Sequence, residues 1–304
     1  MTTVSTSAFY ERATQDMTAL RARAEGLQAA LGRGERLSRS SDDPVAASRL
    51  RNLARGDSFA AISTANASRA ASDLTLTDTA LGSFAEYITR TKELAVQAAN
   101  ATLTLAQRAG IGTELAQLHG NLVALANARD SAGHALFGGE TAGQAFTLDA
   151  AGNPVYAGTA SAGELPLGEG LSVSRGLTGP EFLNFSANGT PTDIFAVVKG
   201  LADALQGGVA DPAQAARDAL GVLDTGLEAV TTAQTVVGAR LNWIDLTSQR
   251  RTDMTELSAD EQAEIGGTDM AATITRLQEA LTVLEASQAS FAKLSSLSLF
   301  DVLR

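Results

Sequence analysis

Residues 212–257 read PAQAARDALGVLDTGLEAVTTAQTVVGARLNWIDLTSQRRTDMTEL. Along this stretch Ala216, Leu220, Leu223, Leu227, Val230, Gln234, Val237, Leu241 and Ile244 recur at alternating steps of four and three over four heptads. That alternation puts one narrow seam on a long helix, the pattern of helices packed at shallow angles. Asp211-Pro212 opens the segment with a carboxylate placed to cap and a proline where the missing N–H costs nothing. At about 1.5 Å per residue, a helix over 212–257 is roughly 70 Å long.

Four further stripes share the period. Tyr10, Ala13, Met17, Leu20, Ala24, Leu27 and Leu31 form the first, and Leu74, Thr77, Leu81, Phe84 and Ile88 the second. Ile111, Leu115, Leu118, Leu122 and Leu125 form another, and Ile274, Leu277, Leu281, Leu284, Gln288 and Phe291 the last. Ser40-Ser41-Asp42-Asp43-Pro44 separates the first two stripes, with Asp43 as cap and Pro44 at the first helical position. Asn100 to Thr104 makes a second break and offers Thr104 as cap. Gly138-Gly139 is expected to close the third helix, and Gly266-Gly267-Thr268-Asp269 separates the last two. Ile194, Val197, Val198, Leu201 and Leu205 mark a shorter amphipathic piece.

Residues 138–189 differ from the rest. They hold 11 of the 28 Gly, and Pro154, Pro166, Pro180 and nearby Pro191 are four of the six Pro. Their apolar runs are short and bounded by turn residues such as Asn153-Pro154, as in short strands. The expected fold is mainly α: an elongated antiparallel long-helix bundle or coiled coil, a small all-β insert at its tip, and paired N- and C-terminal helices. The expected divisions are 1–43 with 268–304 as a terminal core, 44–137 with 190–267 as a long-helix rod, and 138–189 as the insert.

Composition narrows the function. The chain has 304 residues, 44% of them hydrophobic but only 5% aromatic. Ala and Leu carry most of the apolar surface, which favours helices. The net charge of −11 repels phosphate backbones and anionic lipid, so nucleic acid is not an expected partner. No run of 18 apolar residues is present, so membrane insertion as a helix is not expected. Cys is absent, which removes disulfides, thiolate metal sites and cysteine nucleophiles. The first ten residues lack the basic and apolar regions of a cleavable secretory signal, so export would need another machine.

Catalytic motifs are scarce. Asp42-Asp43 before a proline reads as a helix cap rather than an acid–base pair. His119 lies on a helix, exposed or at a packing edge, and His134 lies in a Gly-flanked turn; neither has a metal-ligand pattern. Gly32-x-Gly34 lacks the third glycine and the preceding strand of a dinucleotide site. Asn66, Asn100, Asn184 and Asn188 each start a glycosylation-type triplet, a short pattern that arises often by chance. No catalytic residue, metal or cofactor is expected. The two terminal stripes carry more meaning. An isolated helix is marginal in water, so pairing the N-terminal stripe with the C-terminal one is the simplest way to bury both. Seams this rich in Ala and Ser make a weak pair, expected to be frayed alone and completed by other chains.

Ser41-Asp-Asp-Pro-Val-Ala-Ala-Ser48 after an amphipathic helix resembles the flagellin superfamily. Ala98-Ala-Asn-Ala-Thr-Leu103, Ala135-Leu-Phe-Gly-Gly139 and Val237-Gly-Ala-Arg-Leu-Asn242 agree with it in order and position. Pro44 and the ending Ser296-Leu-Ser-Leu-Phe-Asp301 are closer to the hook–filament junction family than to filament flagellins, which usually lack that proline. The resemblance covers roughly 1–140 and 194–304 and skips most of the insert. It implies an extracellular structural protein of the bacterial flagellum, exported unfolded by the flagellar type III apparatus and not an enzyme. It implies a ring of copies between the first hook-associated protein and the flagellin filament. It also implies a cytoplasmic export chaperone holding the C-terminal helix, about 270–304. The assembly seam is then expected at Met17, Leu20, Leu27, Leu31, Ile274, Leu277, Leu281, Leu284 and Phe291, and the joint between core and rod at Ser41, Asp42, Asp43 and Pro44. A filament-forming flagellin or flagellin-like surface protein is the alternative. An enzyme or ligand-binding module on a helical rod is a third reading and would need a closed polar pocket.

Overall fold

The computed structural model describes residues 6–37, 39–130 and 132–302, and of Thr6, Ser7 and 295–302 only the backbone. The elements run α1 (Thr6–Arg33), α2 (Pro44–Ala98), α3 (Leu105–Ala126), β1 (Phe146–Leu148), β2 (Pro154–Tyr156), β3 (Glu164–Gly168) and β4 (Leu171–Ser174). They continue with α4 (Gly179–Leu183), β5 (Asn184–Ala187), β6 (Thr190–Asp193), α5 (Ile194–Asp203), a π-helical turn (Ala204–Gly208), α6 (Pro212–Gly266) and α7 (Met270–Val302). Two compact units result, residues 59–252 and residues 1–58 with 253–304.

In the 59–252 unit, α2 and α6 lie antiparallel without slip. Gln234 sits over Gly82, Lys92 pairs with Asp224, and Arg217 reaches the Ala99 carbonyl, so ten residues along α2 match ten back along α6. The heptad residues Leu74, Thr77, Leu81, Phe84 and Ile88 of α2 are fully buried. Leu223, Val230, Val237 and Ile244 of α6 are buried, while the alternate seam positions Leu220, Leu227 and Leu241 are partly so. α3 starts at a capping box, in which Thr104 Oγ1 accepts from the Gln107 amide and the Gln107 side chain accepts from the Thr104 amide. Buried Arg108 on its first turns donates to the carbonyls of Ala98 (3.0 Å) and Asn100 (2.8 Å), closing the end of α2 with a cation where the helix dipole favours one.

The third helix ends at Ala126, twelve residues before the expected Gly138-Gly139 stop. Asn127 is the reason. Its side chain accepts from the Phe146 amide (2.9 Å) and donates to the Phe146 carbonyl (3.0 Å), so it pairs with a strand instead of continuing the helix. Asp130 then folds a turn, accepting from the Ala132 and His134 amides across Gly133, whose φ is +85°.

The insert holds three separate antiparallel hairpins, β1–β2, β3–β4 and β5–β6. It is not purely β. A one-turn helix, α4, follows Thr178, whose amide the Glu181 carboxylate caps, and the third hairpin extends past 189 to Asp193. Its two-residue turn, Asn188-Gly189, has φ of +51° and +76°, the left-handed pair that Asn-Gly supplies at low cost. The insert is anchored by aromatic rings: Phe84, Phe137 and Phe182 have centroids 5.0–5.9 Å apart, and Phe146 meets Tyr156 and Phe195 at 5.3 Å. Gly179 leaves room for this packing, because a Cβ there would lie 2.4 Å from the Phe146 ring. Asp193 accepts from the Ala196 amide and opens α5, which packs on α3. Gly112 permits that close approach, since a Cβ there would lie 2.9 Å from the Ala202 carbonyl.

Candidate assembly site

The terminal helices pair in the unit formed by 1–58 and 253–304. α1 and α7 run antiparallel: Tyr10 meets Phe291 edge to face at 5.4 Å near one end. Near the other, Glu35 and Gly267 form a lone antiparallel bridge, with the Arg36 amide donating to the Gly266 carbonyl (2.8 Å) and the Thr268 amide to the Gly34 carbonyl (3.0 Å). On α1 the expected stripe faces inward. Ala24 is buried, and Tyr10, Ala13, Met17, Leu20, Leu27 and Leu31 are half-buried.

On α7 the inward row differs from the expected one. Thr273 and Ala280 are buried, and Leu277, Leu284, Ser287 and Phe291 are half-buried, again at alternating steps of four and three. Leu277, Leu284 and Phe291 of the expected seam therefore belong to the pair. Ile274 and Leu281 do not: each is 44% exposed, and Gln288 is exposed on the same flank. The physical reason is close approach. The most buried residues of the pair are the small Ala24, Thr273 and Ala280, so the helix axes come near enough that larger side chains must straddle the contact line. Phe9, Val283 and Leu294 are exposed as well. The pair thus leaves much of its own apolar surface in water.

Helix-terminus chemistry shapes residues 41–44. Asp42 Oδ2 accepts from the Arg39 amide (2.8 Å), and Asp43 Oδ1 accepts from the Ala46 amide (3.0 Å), capping α2 with Pro44 as its first residue. Ser41 is exposed in the preceding turn. The Arg36 guanidinium joins Asp43 Oδ2 (3.3 Å) to the Ile265 carbonyl (3.0 Å). The amide hydrogen bond from Ala46 holds the Asp43 carboxyl below its usual range, aided by Arg36. Arg49 grips Glu261 with two bonds of 2.5 and 2.7 Å, which hold that carboxyl low too. Asp57 accepts from Ser258 and Gln262. Sequence reading missed Arg49, Asp57, Ser258, Glu261 and Gln262, which lie outside the heptad stripes.

The polar residues elsewhere are structural in arrangement. His134 Nδ1 lies 3.5 Å from Asp130, and Arg175 lies 3.1 Å from Asp73 and 3.8 Å from Asp130. These groups line a cavity of about 190 Å³. The carboxylates of Asp73 and Asp130 are held by Arg175, and that of Asp130 also by its own turn. Among the described residues no group of three His, Asp or Glu side chains could hold a metal ion. No described helix is long and apolar enough to cross a membrane.

With this geometry in place, residues 4–142 match the bacterial flagellin N-terminal helical region. The chain is 26% identical over 285 residues to flagellar hook-associated protein 3 of Escherichia coli K12, covering 88% of this chain and 89% of that protein. Among solved structures, one described as a flagellar hook-associated protein from Vibrio parahaemolyticus has a TM-score of 0.68 at 24% identity, covering 74% of this chain and all of that one. Flagellar hook-associated protein 3 from Legionella pneumophila has a TM-score of 0.62 at 17% identity, covering 75% and 99%. The long-helix fold with its small insert is therefore that of these structures, and the resemblance read from the motifs at 41–48, 98–103 and 135–139 lies within the matched flagellin region.

Proposed function

We propose that this chain is a structural subunit of the bacterial flagellum, built into the junction between hook and filament, with no turnover of substrate. The relationship to hook-associated protein 3 along most of both chains supports this reading. The observation that carries its mechanism is the half-covered terminal pair, in which Ile274 and Leu281 stay exposed although they continue the heptad stripe. Copies in a ring would bury these residues together with the flanks of Leu20, Leu27 and Leu31. The pair is then only weakly held in the free chain and is completed as copies dock, so free subunits do not polymerise before export. The first hook-associated protein and flagellin are the unlike neighbours at the two faces of the ring, and an export chaperone covers α7 beforehand. Residues 41–44 serve as the joint between the terminal pair and the long helices.

Electron microscopy and sedimentation of the purified protein under salting-out conditions test the reading. Monomers or short closed oligomers are expected. Long regular filaments would overturn it in favour of a filament flagellin.

A further inference from the structure

The chain has two histidines, and they occupy opposite environments. His134 is largely exposed beside Asp130. His119 is set between α3 and α5, and its Nε2 is shut off from solvent with no hydrogen-bond partner among the described residues. Its ring meets the Phe195 ring edge-on at 6.2 Å. The charged groups bearing on it all come from α5 or its cap: Lys199, Asp193 and Asp203. We infer that His119 is an acid-sensitive latch, holding α5 and the π-helical turn on α3 while its imidazole is neutral and releasing them when it is protonated.

The packing gives the reason. The imidazolium carries a proton on both ring nitrogens, so protonation fixes an N–H at Nε2, where no acceptor among the described residues lies within reach on this half-buried ring. Burial first, and Lys199 second, hold the imidazole below its ordinary range against the opposite pull of the Asp193 and Asp203 carboxylates. The docked state therefore favours the neutral ring. Its stabilisation is complete above the ordinary imidazole range and is lost as pH falls through the lowered one. The element released is well defined. α5 lies against α3 with the π-helical turn, whose Gly207 has φ +109°. Lys199 also donates to Asn153 Oδ1 (3.0 Å), and Phe195 packs on Phe146, so the β1–β2 hairpin follows α5.

Amide hydrogen exchange at pH 7.5 and 5.5, corrected for intrinsic rates, tests this in the full chain. That window brackets the ordinary imidazole value and lies above the ordinary carboxylate range. Exchange in 194–208 is expected to quicken about threefold or more at pH 5.5 relative to α2 and α6. His119→Gln should remove that acid response and His134→Gln should retain it. Equal acid responses in wild type and H119Q, or a response lost only in H134Q, would overturn the latch. If H119Q does not fold, the imidazole proton resonances of the wild-type chain decide: the His119 midpoint must coincide with the loss of protection, and a mismatch overturns it.

Discussion

The two flanks of α7 make opposite predictions. Consider Ile274→Ser with Leu281→Ser, against Leu277→Ser with Leu284→Ser. Fully burying a leucine or isoleucine stabilises by about 1.5–3 kcal/mol. Ile274 and Leu281 are each 44% exposed, so nearly half of that remains to be gained when a neighbouring chain covers them. Together they offer about 2 kcal/mol per subunit, roughly thirtyfold in an association constant. Replacing them should leave the helicity of the free chain within error, because exposed substitutions cost little. Leu277 and Leu284 are already packed against α1. Their replacement should melt the α1–α7 pair before any assembly begins. Circular dichroism of the purified variants and complementation of a strain lacking its own junction protein separate the cases. Wild-type incorporation of the Ile274/Leu281 variant would refute the docking role of that flank. Loss of helicity in that same variant would refute the packing argument instead.

Deleting 270–304 should leave the 59–252 unit folded by circular dichroism and abolish incorporation; unchanged incorporation would sink the role given to α7. Arg108→Met removes two charge-assisted bonds, one to the carbonyl of buried Ala98 and one to that of exposed Asn100. It should cost about 3 kcal/mol, read as a fall of roughly 6–12 °C in the thermal midpoint. Phe182→Ala empties the centre of the Phe84, Phe137 and Phe182 cluster and should cost about 3–5 kcal/mol in denaturant unfolding; a loss below 1 kcal/mol would show that the insert does not depend on it.

The long helices were legible because their signals are local and repeated. Heptads at 74–88 and 216–244, and the caps at Asp43, Thr104 and Asp211, each rest on residues a few positions apart. The end of α3 was not legible, because Asn127 is helix-terminating only through a partner nineteen residues away in β1. The insert's strands were visible as apolar runs, but their division into three hairpins depends on rings brought in from α2 and α5. Arg108 reads as a surface residue on α3, and only the end of α2 makes it a buried cap.

The two rows on α7 differ in an informative way. Thr273 and Ile274 start two rows one residue apart, and both rows alternate four and three. Hydropathy selects Ile274, Leu281 and their successors. Close packing of a two-helix pair selects Thr273, Ala280 and Ser287, because small side chains let the backbones approach. A free pair can satisfy only one row. Along the 74–88 stripe of α2 no such conflict arises: Leu74, Leu81, Phe84 and Ile88 are its most apolar residues and are fully buried. Where hydropathy and burial agree, the chain is complete in itself. Where they part, as at Ile274 and Leu281 of α7, the apolar side chains left outside the pair are surplus to the monomer, and that surplus is what a second chain can use.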